Sequence, residues 1–175
     1  MRRVRVVAGI AAATFGVAGC GAAHAAPSPT PRSVTSSGGP TLTGSDVNIT
    51  AFRGHLVVLV FWASWCGPCH DEQPDLNSVY AKWSARGVEF LGVDLRDDTK
   101  DALAFQRQLN VPYPSIADAN ATLAVDYRIP SAPALVFLSA EGKVADTVLG
   151  ALGTMSVAEF NTEITTLLGP SGASA

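Results

Sequence analysis

The sequence predicts an α/β protein: a mixed central sheet flanked by helices on both faces. Three observations carry that expectation. Residues 57–62 are an unbroken apolar run that reads as a strand buried on both faces, with a helical pattern close behind it. Apolar runs of strand length then alternate with helix-period stretches along the chain. The end of the chain adds a terminal hairpin and a last helix.

Taken in order, residues 1–20 read as an export signal: Arg2, Arg3 and Arg5, an apolar run from Val6 to Ala18, then small residues. Val17-Ala18-Gly19-Cys20 resembles a bacterial lipobox. That resemblance implies cleavage before Cys20 and a diacylglycerol on its sulfur, which makes Cys20 the lipidation site and a membrane anchor. The alternative is a plain secretory signal cut after Ala23 or Ala26, with no lipid. The apolar run is too short to span a membrane comfortably. Residues 21–40 are Ala, Pro, Ser, Thr and Gly with almost no large apolar side chain, so they read as a flexible tether. His24 is then a solvated linker residue.

The folded domain is expected over residues 41–169, with 170–175 as a frayed tail. Val47 and Ile49 suit a short edge strand, and Phe52-Arg53-Gly54-His55 a turn into the central strand. Behind that strand, Leu76, Val79, Tyr80 and Trp83 recur at helical spacing, and Gly87 sits where a left-handed cap is wanted. Val88 to Leu95 is a second buried strand, ending in the loop Asp94-Leu95-Arg96-Asp97-Asp98. Thr99 to Leu109 is helical, with Ala102, Phe105 and Leu109 on one face. Tyr113 to Ile116 is a short strand between prolines, and Asn120 to Tyr127 a short helix. Ala134 to Leu138 is a third apolar strand, which turns through Ala140-Glu141-Gly142-Lys143 into Val144 to Leu149. Ser156-Val157-Ala158-Glu159 is a capping box that opens the last helix, and Gly169-Pro170 stops it.

Composition narrows the function. The 175 residues are 47% hydrophobic, enough for one packed domain. The formal charge is −3, and three of the 12 basic residues lie in the first five positions. An acidic chain without a basic cluster argues against nucleic-acid binding. Of three cysteines, one is Cys20 and two form Cys66-Gly67-Pro68-Cys69, so a structural disulfide framework is excluded.

The two remaining cysteines sit where the central strand gives way to a helix. A helix N-terminus offers free N–H groups and partial positive charge, which stabilise a thiolate. The thiolate is the form that attacks a disulfide, and cysteines so placed have lowered pKa values. The second cysteine, three residues on, can attack the mixed disulfide and release the partner. Pro68 suits the first turn and holds the two sulfurs near each other. Cys66 is thus the expected nucleophile and Cys69 the resolving thiol. Trp65 flanks Cys66 as an apolar docking surface, whereas Trp62 reads as core and Trp83 as helix-to-sheet packing.

The segment Phe61-Trp62-Ala63-Ser64-Trp65-Cys66-Gly67-Pro68-Cys69, with its helix, resembles the thioredoxin superfamily, and within it the extracytoplasmic group typified by TlpA and ResA. Glu72, Pro74 and the stretch Tyr127-Arg128-Ile129-Pro130-Ser131-Ala132-Pro133 match the same pattern. The resemblance implies a thioredoxin fold and thiol–disulfide exchange on protein substrates outside the cytoplasm, without a cofactor. It also implies a membrane electron partner and service to apocytochrome c as one family role. It makes Glu72 the group that takes or supplies a proton during exchange, Pro74 a helix kink, and Pro133 a cis residue. Ala132 would then offer its N–H and C=O to an extended substrate. A carboxylate near two thiols and aromatic rings is expected to hold its proton above the usual range. The alternatives are a first-turn glutamate favoured by the helix dipole for Glu72, and an ordinary trans proline opening a strand for Pro133. Two departures stand out. Val60 occupies the place of the buried aspartate of cytoplasmic thioredoxins. Ser131 and Ala134 replace the glycine and threonine frequent around the cis-proline.

The same residues also match the patterns of other chemistries. Cys66-Gly67-Pro68-Cys69-His70 fits a c-type haem attachment pattern, with His70 and Met155 as axial candidates, but a buried strand leading into it is the wrong context. His70 then reads as a surface residue of the first turn. Two thiols and one histidine on one turn lack a fourth zinc ligand, so no metal site is expected. Cys66 also lacks the upstream Pro and Thr of a peroxidatic cysteine. The direction of exchange stays open. Gly-Pro between the cysteines resembles reducing thioredoxins near about −270 mV rather than strong oxidants near about −120 mV. Relatives of actinobacterial type with a similar loop act as oxidases instead. A binding module with an idle dithiol is the contrasting class.

Overall fold

The computed structural model describes residues 38–172. The predicted signal, Cys20 and most of the tether lie outside the described residues. Strands β1 (Gly38–Pro40) and β2 (Asp46–Asn48) pair as an antiparallel ribbon. Strands β3 (Val57–Trp62), β4 (Glu89–Leu95), β5 (Ser115–Asp118), β6 (Ala134–Leu138) and β7 (Val144–Leu149) form one sheet in the order β5-β4-β3-β6-β7. β4 runs parallel to β3 and β5 to β4, while β6 is antiparallel to β3 and β7 to β6. The helices are α1 (Gly67–Ser84), α2 (Thr99–Leu109), α3 (Thr122–Tyr127) and α4 (Val157–Gly172).

β3 is the middle strand because every one of its residues is apolar and buried, which suits a strand covered on both faces. Its alternation sorts the core. Leu59 and Phe61 pack with Leu123, Ala124 and Tyr127 of α3 on one face. Val58 and Val60 pack with Leu76 and Val79 of α1 and Phe160 and Ile164 of α4 on the other. A third cluster gathers Trp62, Cys66 and Cys69 with Ala102 and Phe105 of α2 at the C-terminal end of β3. That end is where α1 starts, so the packing of both helices converges on the dithiol.

The structure moves several expected boundaries. The last three residues of the expected tether, Gly38–Pro40, are strand: their pairing runs through backbone groups and needs no apolar side chains. Gly38 adopts φ +135 and a Cβ there would meet the Val47 carbonyl oxygen at 1.9 Å, so composition hides the pairing that glycine permits. Thr41 bridges to Ile116 and Leu42 N–H donates to Ser115 O at 2.9 Å, so this segment covers the β5 edge. Ile49 leaves the edge strand for a 3-10 turn, Ile49–Phe52, capped by Asn48. β5 lies two residues later than expected, because Tyr113 turns into the core and Pro114 has no N–H to donate. α3 starts at Thr122 rather than Asn120, since Ala121 is left-handed and Asp118 supplies the cap, accepting from Leu123 N–H and Ala124 N–H. The capping box at Ser156 and Glu159 forms reciprocally. α4 loses its helical backbone at Gly169 (φ +68), the position where Gly169-Pro170 is expected to stop it.

Candidate active site

Cys66 is the residue that caps α1. Its backbone is extended, and its Sγ accepts the Cys69 N–H at 3.2 Å. The two sulfurs form a disulfide, with the Cα atoms 5.3 Å apart. Pro68 sits in the first turn, where no N–H is required. On reduction, the Cys66 sulfur is left at the positive end of an 18-residue helix with an N–H aimed at it, both of which favour the thiolate.

Access is tighter than the sequence suggests. Cys66 is 4% exposed, because the disulfide folds its sulfur onto the helix end and Ala132 packs against the cluster that holds it. The rim is open instead: Trp65 is 56% exposed, and Gly67 and Pro68 are exposed beside it. Trp65 Nε1 donates to Arg96 O at 3.3 Å, which fixes the ring as a rigid edge. Across the site, Ala132–Pro133 is a cis peptide. Pro133 O accepts Gly150 N–H at 2.9 Å, which ties this loop to the end of β7. Trp62 is core: its ring stacks on Phe105 at 4.4 Å and its Nε1 donates to Ser115 Oγ at 3.2 Å. Trp83 does more than pack, for its Nε1 donates to Asn161 Oδ1 at 2.6 Å and joins α1 to α4.

Glu72 falls in the second turn, because α1 begins at Gly67, so a first-turn dipole role does not account for it. It is 7% exposed, and its Oε2 accepts the Leu152 N–H at 3.0 Å from the 3-10 turn Ala151–Gly153. Burial pushes its pKa up to about 7, against the opposing effect of the Leu152 N–H. One residue on, Gln73 exchanges hydrogen bonds with the buried Tyr113 hydroxyl. Burial, with a smaller contribution from the Glu72 charge, raises that hydroxyl. Pro74 lies inside the helix, as the resemblance implies.

Sequence reasoning missed a second buried acid. Asp94, expected where the Val88 to Leu95 strand runs into its loop, lies within β4 and is 2% exposed, with no role foreseen for it. Burial first, then the charge of Asp97, a hydrogen bond with Asp97 and the charge of Asp118, raise its pKa to about 8. Asp97 in turn accepts from Ser64 N–H and from Ser64 Oγ, the latter at 2.8 Å. The available signal was a lone acid in an otherwise apolar run, Phe90 to Leu95. Val60, by contrast, is buried between Gly92 and Leu135 in the sheet, so no proton is held there.

His70 is half-buried rather than on the surface. A ring nitrogen lies 2.9 Å from Ser64 O, and its edge meets Phe105 at 4.7 Å. Met155 packs against the core cluster shared by α1 and α4, away from the third cluster that contains the cysteines. The haem pattern therefore lacks its pair of converging ligands.

A sheet of this order, a Cys-x-x-Cys at the strand-to-helix junction and a cis-proline opposite define a thioredoxin-fold dithiol protein. Residues 32–147 match the AhpC/TSA family, and the chain belongs to that family. It is 30% identical over 110 residues to the thiol-disulfide oxidoreductase ResA of Bacillus cereus, covering 62% of this chain and 63% of that protein. The match therefore spans a little under two thirds of that relative's length. A ResA from Bacillus thuringiensis subsp. konkukian is 30% identical over 125 residues, 71% of this chain and 72% of the relative. Among solved structures, a secreted Mycobacterium tuberculosis disulfide oxidoreductase homologous to E. coli DsbE aligns with a TM-score of 0.67 and 29% identity, covering 74% of this chain and 95% of its own.

Proposed function

We propose that this protein is a thiol–disulfide oxidoreductase that acts on protein thiols and disulfides outside the cytoplasm. The observation that carries the reading is the Cys66–Cys69 disulfide at the α1 N-terminus, with the Cys66 sulfur facing the Cys69 N–H. The Cys66 thiolate attacks one sulfur of a partner disulfide, and the other partner sulfur leaves as a thiolate that takes up a proton. Cys69 then loses its proton, attacks the Cys66 sulfur of the mixed disulfide, and expels the second partner thiolate. Two electrons pass to the partner, and the Cys66–Cys69 disulfide is restored. Glu72, one helical turn from Cys69 and with its pKa raised to about 7, is placed to accept the Cys69 proton in its ionised form and to hold it near neutral pH. Trp65 supplies an apolar contact, and the Ala132–Pro133 loop an extended backbone partner for the substrate strand.

In the net direction, the Gly67-Pro68 pair supports a reductant, with apocytochrome c as one class of substrate and a membrane protein as electron donor. The domain plan fits that setting: a signal over 1–20, a lipid on Cys20, a tether, and a redox domain. The test has two parts. Insulin disulfides should be reduced by the wild-type protein and not by Cys66→Ser; retained turnover in that variant refutes the assignment. The potential of the Cys66–Cys69 pair against glutathione then sets direction, near about −270 mV for a reductant and near about −120 mV for an oxidase.

A further inference from the structure

The backbone that carries Cys66 is held from one side by an arrangement that the exchange chemistry alone does not require. Ser64 lies two residues before Cys66, in a turn closed by Cys66 N–H to Ala63 O at 3.1 Å. Its N–H and its hydroxyl both donate to Asp97 on the β4–α2 connection. Its carbonyl oxygen is 2.9 Å from a His70 ring nitrogen, and the neighbouring Trp65 donates to Arg96 O. Asp97 Oδ2 accepts the Ser64 N–H, and its Oδ1 accepts both the Ser64 hydroxyl and the Asp98 N–H at 2.8 Å, so both oxygens act as acceptors.

Asp94 stands behind Asp97. It aligns with Trp62 in the parallel β3–β4 register, so its side chain shares the face on which Trp62 packs beside the two cysteines. Its Oδ1 is buried and has no hydrogen-bond partner. Asp94 and Asp97 are neighbouring acids that act on each other in favour of one shared proton, and Asp97, already accepting three hydrogen bonds, is the one these donors favour as the carboxylate.

We propose that Asp94 and Asp97 form a one-proton positioning pair for thiol exchange. Asp94 carries the proton and donates it in a hydrogen bond; Asp97 carries the charge and grips Ser64, and through it the backbone that aims Cys66. This rests on Cys66 as the attacking sulfur. Among the charged and titratable groups, Arg96 and Asp98 flank Asp97 on the same connection, Asp118 at the end of β5 acts on Asp94, and His70 of α1 reaches the Ser64 carbonyl that Asp97 helps to hold. Asp97 and Asp118, both acidic, act on Asp94 in the direction of keeping its proton, in support of a neutral Asp94 at pH 7. Removing the proton sets two carboxylates side by side, loosens Asp97 from Ser64, and brings a second negative charge toward the Cys66 thiolate.

The test is the rate of alkylation of Cys66 by iodoacetamide in the reduced protein, followed from acid to alkaline pH. Cys66→Ser fixes the background. The wild-type profile should rise as Cys66 ionises and then show a second, downward step near pH 8, where Asp94 ionises. In Asp94→Asn the amide still donates to Asp97 but cannot ionise, so the second step should vanish while the thiol step stays. Asp97→Asn should lower the plateau rate by about tenfold or more, toward the roughly hundredfold that a misplacement of about an ångström costs. A second step that persists unchanged in Asp94→Asn, or is missing from the wild type, overturns the pair. Should Asp94→Asn not fold, carboxyl-carbon NMR of the wild type decides: an Asp94 signal titrating in the ordinary aspartate range overturns the pair as well. A Cys66 that reacts no faster than free cysteine at any pH sinks instead the functional reading on which the pair rests.

Discussion

Replacing Glu72 by Gln should stabilise the oxidised protein at alkaline pH and slow its turnover. Burial raises the Glu72 carboxyl from 4.5 to about 7. Below about pH 4.5 both folded and unfolded chains hold the proton, so the group contributes nothing. As pH rises from there toward about 7, the unfolded chain has lost the proton while the fold keeps it, and stability falls. Above about 7 both forms are ionised and the penalty is complete. A rise of about 2.5 in pKa corresponds to roughly 3.5 kcal/mol at about 1.4 kcal/mol for each pH unit. Screening by nearby solvent brings it to about 1–2 kcal/mol. The assay is urea unfolding of oxidised wild type and Glu72→Gln at about pH 5 and about pH 8, with the four values combined as a double difference. Costs of the amide that do not depend on pH, including its weaker acceptance from Leu152 N–H, cancel in that difference. Wild type should lose about 1–2 kcal/mol relative to the variant between the two pH values. Equal destabilisation or stabilisation at both would refute the reasoning, for it would show that Glu72 is already charged in the fold at the lower pH.

Three further outcomes follow from the packing. Gly92→Ala places a Cβ 2.1 Å from Ser115 Oγ and 2.7 Å from Trp62 Nε1. Chemical denaturation should show a loss of about 1–3 kcal/mol or more. Trp65→Ala removes the exposed ring proposed to dock substrates and should raise KM for reduced or oxidised protein substrates while leaving the alkylation rate of Cys66 nearly intact, as steady-state kinetics will show. Ser156→Ala breaks the reciprocal cap of α4 and should cost about 1 kcal/mol by thermal unfolding without changing the potential of the dithiol.

The chemistry-bearing half of the site was legible in the chain because it is local. Cys66, Cys69 and Pro68 owe their arrangement to a strand-to-helix junction whose residues are contiguous. Glu72 could be named as a proton-handling residue only by resemblance, because its burial depends on Leu152, 80 residues away. Asp94 was legible as an acid at the end of a strand but not as a buried one, since Trp62, which stands beside it on β3, is 32 positions away in the chain. β1 was hidden for the opposite reason: its glycines carry no apolar signal, and backbone geometry alone decides its pairing. Boundaries of α2, β6 and β7 were plain because periodicity and turn residues agree there. At β5 the prolines marked a break but not on which side of it the ladder resumes.

The covering of β5 by residues 41 and 42 gives the sheet a polarity with regard to self-association. Among the described residues, one flank is partly covered by the segment ahead of the sheet, at Ser115 and Ile116, which leaves β7 as the more open edge for a foreign strand. That remaining flank carries Asp146 at its middle and a register irregularity on the strand beside it, features that discourage stacking of copies. Loss of the leading ribbon would therefore be felt first as a tendency to aggregate, well before the dithiol itself was disturbed.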